Sequence, residues 1–339
     1  MQRILAIQIK RIGDLILTAP ALARLRQARP DARITLVTMG AAGELVPAIP
    51  AVDEHFSYRY RRPNLALWAD LALSNYDVAL DFNGLDRSRL MTGMSRAAIR
   101  ATYEKRARGI WGDILYTHVS QAPLRRFHTV DHMLALLDVL DLPPSSGAAA
   151  VSMTVPETVR LHTDRLLAGR GVDGPFTVVH PGTARPEKYW LPERWAGVID
   201  AVAAGPDGLP CVITGGSDAA ERQHIGAILA ATRQRPIVLA GELSLLETAA
   251  VIQRATMALG VDTAAMHLAA AFQRPQVTLF GPTNPYHWRP WNPEGRVVVP
   301  GDSGPLDESR LDPEAPGAAM SEIVTSQVLS AIATLRPGA

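Results

Sequence analysis

The tightest constraint on the fold is the stretch 259–290, LGVDTAAMHLAAAFQRPQVTLFGPTNPYHWRP. A short apolar run at 257–261 stops at Asp262-Thr263. Thr263 is a good helix N-cap, and 264–272 is a compact run of helix formers. Residues 276–280 then alternate β-branched and large apolar side chains until Gly281-Pro282 breaks the run. Strand, sharp turn, helix, buried strand and polar loop follow in order. The first turn of such a helix carries unpaired N–H groups and roughly half a positive charge. That end is a natural phosphate site.

The same alternation runs through the whole chain. Strands are expected at 3–9, 33–38 and 76–81, with helices at 14–28, 65–73, 85–94 and 131–140. Pro20 is tolerable in a first turn and kinks a helix if it lies deeper. A composition break, PPSSGAAA at 143–150, reads as a linker. The pattern then restarts, with helices at 157–168, 192–204, 218–231, 245–254 and 264–272. The expected strands between them are 176–180, 211–214, 237–240, 257–261 and 276–280. Residues 296–300 make a further candidate strand, 301–319 a wrapping loop, and 321–335 a closing helix that can cross back to the first domain. The expected fold is α/β, with doubly wound parallel sheets. Domains are placed at 1–145 and 151–320, with 321–339 as closing helix and tail.

Composition narrows the function. At 339 residues two cores are the first expectation. The lone Cys211 rules out a disulfide framework and suits a reducing compartment. The N-terminus lacks the n-region, apolar run and cleavage site of a secretory signal. No apolar run approaches the roughly 18–20 residues that span a bilayer. A soluble, cytoplasmic protein is expected. A net charge of +1 argues against a dedicated nucleic-acid binder. Charge is nonetheless uneven: residues 1–150 carry a net +5 and the remainder a net −4. Basic residues concentrate between Arg87 and Arg108. Such a run is a solvated face or an attraction to an anionic acceptor or membrane surface.

Neither G-x-G-x-x-G after the first strand nor a Walker A motif is present. Two Rossmann-like halves without a dinucleotide fingerprint suggest a GT-B glycosyltransferase, its two domains facing a central cleft. KRIGD, HPGTARPEK, TGGSD and GVDTAAMH all fall at the carboxyl ends of strands, where ligands sit in open α/β sheets.

Together these pieces resemble the heptosyltransferases of lipopolysaccharide core synthesis, glycosyltransferase family 9. The resemblance runs from IKRIGDLILTAPAL through HTVDHMLALL, HPGTARPEKYW and GELSLLETAAVI to GVDTAAMHLAAAFQRPQVTLFGPT. It covers nearly the whole chain. HPGTAR with K-Y-W, and WRPW at 288–291, look closer to the branch that adds a side heptose. The resemblance implies an inverting transfer, with ADP-L-glycero-D-manno-heptose as donor and a nascent core oligosaccharide on lipid A as acceptor. An anionic lipid-linked acceptor would place the enzyme peripherally at the inner membrane.

Glycosyl transfer needs an activated acceptor hydroxyl and a stabilised leaving diphosphate. Asp14 is the candidate base, with helix N-cap as its other reading. Lys188, one of three lysines, lies in a Gly-containing loop and is placed to neutralise phosphate charge; its other reading is an exposed lysine. Thr183 is a hydroxyl donor to the same phosphates. Arg185 has three open roles: phosphate, acceptor or a structural carboxylate. Thr263 and the helix start hold the diphosphate of a sugar nucleotide. His267, one turn on, is a ligand or a packed side chain. Asp262 beside a phosphate would repel it, so it is assigned to sugar hydroxyls, as the resemblance also implies. Adenosine is expected near Gly215-Gly216. Glu221 binds ribose by analogy with the family, or belongs to a solvated helix face. Arg96, Arg100 and Arg106 are candidate acceptor contacts.

No Asp-x-Asp triplet and no Cys/His cluster occurs, so transfer without a metal or other cofactor is expected. No Ser-His-Asp or Cys-His signature suggests an enzyme nucleophile. The rivals are a relative with another nucleotide sugar or acceptor, a sugar-nucleotide 2-epimerase on a similar fold, and a non-catalytic sugar-nucleotide binder.

Overall fold

The computed structural model describes residues 2–104, 110–122, 127–143, 153–205, 208–302 and 312–335. Chain contacts divide it into two compact units, Met1–Thr154 and Val155–Ala339.

The first unit runs β1 (Arg3–Ile7), α1 (Ile12–Ala28), β2 (Arg33–Met39), β3 (Glu54–Tyr58), α2 (Leu65–Leu73) and β4 (Val78–Asp81). It continues with α3 (Asp86–Met94), β5 (Ile99–Tyr103), α4 (Ile110–Leu115), β6 (His118–Ser120) and α5 (Thr129–Ala135). The sheet is parallel throughout, in the order β3-β2-β1-β4-β5-β6. Leu5, Ile7, Leu36, Val37, Ala79 and Leu80 are wholly buried. Burial on both faces is why these strands read as continuous apolar runs rather than alternations.

The second unit runs α6 (Glu157–Gly169), β7 (Thr177–His180), α7 (Pro192–Ala204), β8 (Cys211–Ile213), α8 (Ala219–Ala231), β9 (Ile237–Val238) and α9 (Leu245–Arg254). Then come β10 (Met257–Val261), α10 (Ala264–Ala271), β11 (Gln276–Leu279), α11 (Pro285–Trp288), β12 (Arg296–Val298) and α12 (Thr325–Ala333). Its parallel sheet has the order β12-β11-β10-β7-β8-β9. Counted from its own first strand, each sheet therefore has the order 3-2-1-4-5-6, the Rossmann order. In each, strand order reverses between the first and fourth strands, and ligands bind beyond the carboxyl ends there. The reversal lies between β1 and β4 in one unit and between β7 and β10 in the other.

Two sequence expectations need correction. Helix α1 starts at Ile12, with Arg11 at the N-cap making no side-chain cap bond. Asp14 is thus a first-turn residue and not the cap, and Pro20 lies well inside the helix. The closing helix α12 packs on α7, β11 and β12. Trp190 donates through Nε1 to the Ile323 carbonyl at 3.0 Å, and Arg194 donates to that of Ser321 at 2.7 Å. Residues 320–335 therefore build part of the second unit's own core, which contains Met320, Ile323, Val328 and Ala331.

Candidate active site

At the reversal point of the second sheet, two loops are tied by one ion pair. Lys188 closes a short 3₁₀ turn, Pro186–Lys188, that follows β7; Asp262 follows β10. Lys188 Nζ lies 2.5 Å from Asp262 Oδ2 and donates to the Asp262 carbonyl at 3.2 Å. Lys188 is 8% exposed and Asp262 9%. The exposed-lysine reading therefore falls. The anion-beside-anion difficulty also changes form: Asp262 carries its own cation, so the pair is neutral together.

Gly260 lets α10 and β7 pack closely against β10. A Cβ there would sit 2.5 Å from Met266 Sδ and 2.9 Å from the His180 carbonyl, so a side chain would push α10 off β10 and β7.

Thr263 holds the N-cap position of α10, as expected, but its hydroxyl makes no cap bond. Thr263 Oγ1, His267 Nδ1 and Thr283 Oγ1 are all buried without a hydrogen-bond partner. Leaving such atoms unsatisfied costs about 1–3 kcal/mol each. A polar ligand would supply the missing partners. His267 is 6% exposed, and burial lowers its pKa; Asp262 opposes that and Lys188 adds to it. Burial thus favours the neutral imidazole, which sits within the field of the ion pair.

A second cluster lies beyond β7 and β8. Glu221, in the first turn of α8, is 8% exposed, and burial raises its pKa. It accepts from Gly216 N–H at 2.9 Å. A Cβ on Gly182 would lie 1.7 Å from Glu221 Oε1, one on Gly215 2.5 Å from the same atom, and one on Gly216 3.0 Å from Oε2. Three glycines from two loops thus make room for one carboxylate. The solvated-face reading of Glu221 falls. Tyr189 packs against His224 nearby, ring centroids 4.5 Å apart and planes tilted by 34°, and Tyr189 feels the charges of Glu221 and Asp218.

Thr183 Oγ1 accepts from Arg185 N–H at 3.3 Å. Arg185 pairs with Glu187 at 2.6 Å, both near half exposure, so of its three open roles the structural carboxylate is the one occupied. An exposed pair of this kind is worth about 0–1 kcal/mol.

In the first unit, Asp14 is 7% exposed in the first turn of α1, beyond the carboxyl end of β1 and beside the reversal point. The positive end of the helix favours its charge. Sequence reasoning missed its neighbours. Asp81 ends β4 opposite Ile7, wholly buried, and accepts from Tyr116 Oη at 2.5 Å and from the N–H groups of Asn83 and Gly84 at 2.8 and 2.9 Å. Gln8 and Asn83, 0% and 2% exposed, join the β1 and β4 ends. The available signal was D-F-N-G at 81–84: a strand ending in Asp followed by a turn, with Gly84 at φ 61°.

Arg96 and Arg100 are not brought to this end. Both lie at the amino end of β5. Arg96 donates to the Ala72 carbonyl, and Arg100 to those of Leu115 and Ala97 at 2.7 Å each. Arg106 lies outside the described residues. Among the described residues no group of three or more His, Cys, Asp or Glu side chains is placed to hold a metal ion. No described helix is long and apolar enough to cross a membrane.

Comparison with known proteins places the fold and the family. The model of glycosyltransferase family 9 (heptosyltransferase) matches residues 64–311. Lipopolysaccharide heptosyltransferase 3 of Escherichia coli K12 is 28% identical over 290 residues, 82% of each chain. The solved glycosyl transferase family 9 protein from Veillonella parvula superposes with a TM-score of 0.84 at 24% identity, covering 98% of this chain and 97% of that one. Escherichia coli heptosyltransferase WaaC, solved with ADP, gives 0.78 at 22%, covering 99% and 100%. The two-unit architecture is that of GT-B enzymes, and the chain belongs to glycosyltransferase family 9, the heptosyltransferases.

Proposed function

We propose that this enzyme transfers heptose from ADP-L-glycero-D-manno-heptose to the inner core of a lipopolysaccharide acceptor, with inversion and without a metal. The observation that carries the reading is the buried Lys188–Asp262 pair set against the unsatisfied Thr263 and His267 atoms at the start of α10. The names of the relatives, a lipopolysaccharide heptosyltransferase and an enzyme solved with ADP, support the choice of donor and acceptor.

The roles divide by chemistry. An ammonium has three N–H donors, and two contacts of Lys188 go to Asp262, leaving one for a phosphate oxygen. The α10 N–H groups and Thr263 take further diphosphate oxygens as charge builds on the leaving ADP. Thr183 adds a hydroxyl. Asp262, its charge balanced, accepts from sugar hydroxyls. Glu221, in its glycine cradle beside Gly215, accepts from the ribose. Asp14 takes the proton of the attacking hydroxyl, and one in-line displacement then needs no enzyme nucleophile. An anionic lipid-linked acceptor would hold the enzyme at the inner membrane surface, on the cytoplasmic side.

The test is transfer itself. The protein is incubated with ADP-L-glycero-D-manno-heptose and lipopolysaccharide truncated in the inner core. The expected result is a product heavier by one heptose, with inverted anomeric configuration and a rate unaffected by a chelator. Asp14→Asn should bind ADP normally and lose most turnover. Transfer from a different nucleotide sugar alone would replace the donor; near-normal turnover of Asp14→Asn would remove the base.

A further inference from the structure

The buried polar groups between β1, β4 and α1 form a chain whose direction is fixed. It starts at the backbone N–H of Ile9, which can only donate, and donates to Asn83 Oδ1 at 2.6 Å. That sets the amide of Asn83, whose Nδ2 then donates to Gln8 Oε1 at 2.5 Å. Gln8 must in turn present its own Nε2, which donates to Thr18 Oγ1 at 2.8 Å. With its oxygen accepting from Gln8, the Thr18 hydroxyl sends its hydrogen to the Asp14 carbonyl at 2.7 Å. Gln8 and Thr18 are 0% exposed and Asn83 2%, so the chain is shielded from bulk solvent.

The place where this chain ends matters. Pro20 removes the N–H that would bond the Ile16 carbonyl, and its ring crowds that carbonyl, so α1 lacks the rung between residues 16 and 20. Two residues before that gap, the Thr18 hydroxyl is a second donor on the Asp14 carbonyl, a contact that sets the local bend of the helix. We propose that Asn83, Gln8 and Thr18 are positioning residues, a one-way hydrogen-bond chain from the β4 end that fixes the backbone of Asp14 in its catalytic orientation. This rests on the reading of Asp14 as the base. None of the three touches substrate in this scheme; they act through the first turn of α1.

The experiment compares Thr18→Val, which keeps shape and loses the hydroxyl, with Thr18→Ser, which keeps the hydroxyl and loses a methyl. The assay is heptose transfer from ADP-L-glycero-D-manno-heptose to truncated lipopolysaccharide, with active protein counted by ADP titration. Thr18→Val is expected to lose about 10–100-fold in kcat, with ADP affinity and both KM values unchanged. Thr18→Ser should recover most of kcat. A packing role would give the reverse, with Val active and Ser impaired, and would overturn the proposal, as would wild-type kcat in Thr18→Val.

Should Thr18→Val not fold, Gln8→Met asks the same question with the length kept. A methionine at position 8 has no donor for Thr18 Oγ1, so the chain from Asn83 is cut. Loss of kcat at unchanged ADP affinity is expected; wild-type kcat overturns the chain. Asp14→Asn in parallel separates the two readings: if it is inactive while the chain variants are normal, only this inference fails, and if it is active the base assignment fails first.

Discussion

Lys188 Nζ lies 2.5 Å from Asp262 Oδ2, and the two side chains are 10% and 9% exposed. Removing one partner of such a pair strands the other as a buried charge, at a cost of about 3–5 kcal/mol. Replacing both by apolar groups of similar volume removes that cost. Lys188→Met and Asp262→Leu should each lower the Tm of the second unit clearly. The double variant Lys188→Met/Asp262→Leu should regain most of the loss while binding ADP weakly and transferring nothing. Additive Tm losses in the double variant would show that the pair is not coupled.

Much of this arrangement was legible in the sequence because helix-strand alternation is strong. Helices 65–73, 192–204 and 245–254 were bounded to the residue. In the last, Ser244 and Glu247 form a reciprocal capping box, the clearest start signal a sequence carries. Strands β3, β5 and β6 were missed. Their sequences EHFSY, IRATY and HVS are short and polar, and two of them lie at sheet edges where burial on both faces is not required. That omission also misdirected the arginines. Without β5, Arg96 and Arg100 read as part of one basic run, whereas the strand puts them at its amino end, on backbone carbonyls. The Lys188–Asp262 pair was illegible for another reason: 74 residues separate the partners, and only the β7–β10 pairing brings their loops together.

The glycine cradle of Glu221 makes a steric prediction. In Gly182→Ala the new Cβ would fall 1.7 Å from Oε1, so the carboxylate must move. If Glu221 holds the ribose, Gly182→Ala and Glu221→Ala should weaken ADP binding by a similar factor, about 10-fold. The double variant should be no worse than either alone, because both remove the same contact. Calorimetric titration with ADP checks this; multiplied losses would mean that Gly182 and Glu221 act separately.

Burial lowers His180 to about 4, with Thr214 Oγ1 2.9 Å from its Nδ1. In the unfolded chain a histidine titrates near 6.5. Below that pH the unfolded chain takes up a proton that the folded protein does not accept until about pH 4. The stability from a neutral His180 is therefore whole above pH 6.5 and is lost as pH falls from 6.5 toward 4. His267, also lowered by burial, acts in the same direction. Wild-type Tm should fall between pH 7.5 and 4.5. His180→Gln should start lower at pH 7.5 yet lose less over that range. An equal fall in both proteins would place the acid sensitivity elsewhere.

Tyr116 donates to Asp81 at 2.5 Å in a wholly buried site. Burial raises the Asp81 pKa, and hydrogen bonds from Tyr116, Gly84, Ser88 and Asn83 oppose the rise, Tyr116 foremost. A raised carboxyl pKa contributes stability below the unfolded value, and that contribution is lost as pH climbs through the folded one. An ionised Asp81 is thus a net cost that its donors reduce. Tyr116→Phe takes away the leading donor, a loss of about 1–3 kcal/mol while Asp81 is ionised and less when it is protonated. The Tm difference between wild type and Tyr116→Phe should grow as pH rises and Asp81 ionises. In an Asp81→Asn background, where no charge forms, that dependence on pH should vanish. A difference that shrinks as pH rises in the wild-type background would overturn this role for the tyrosine.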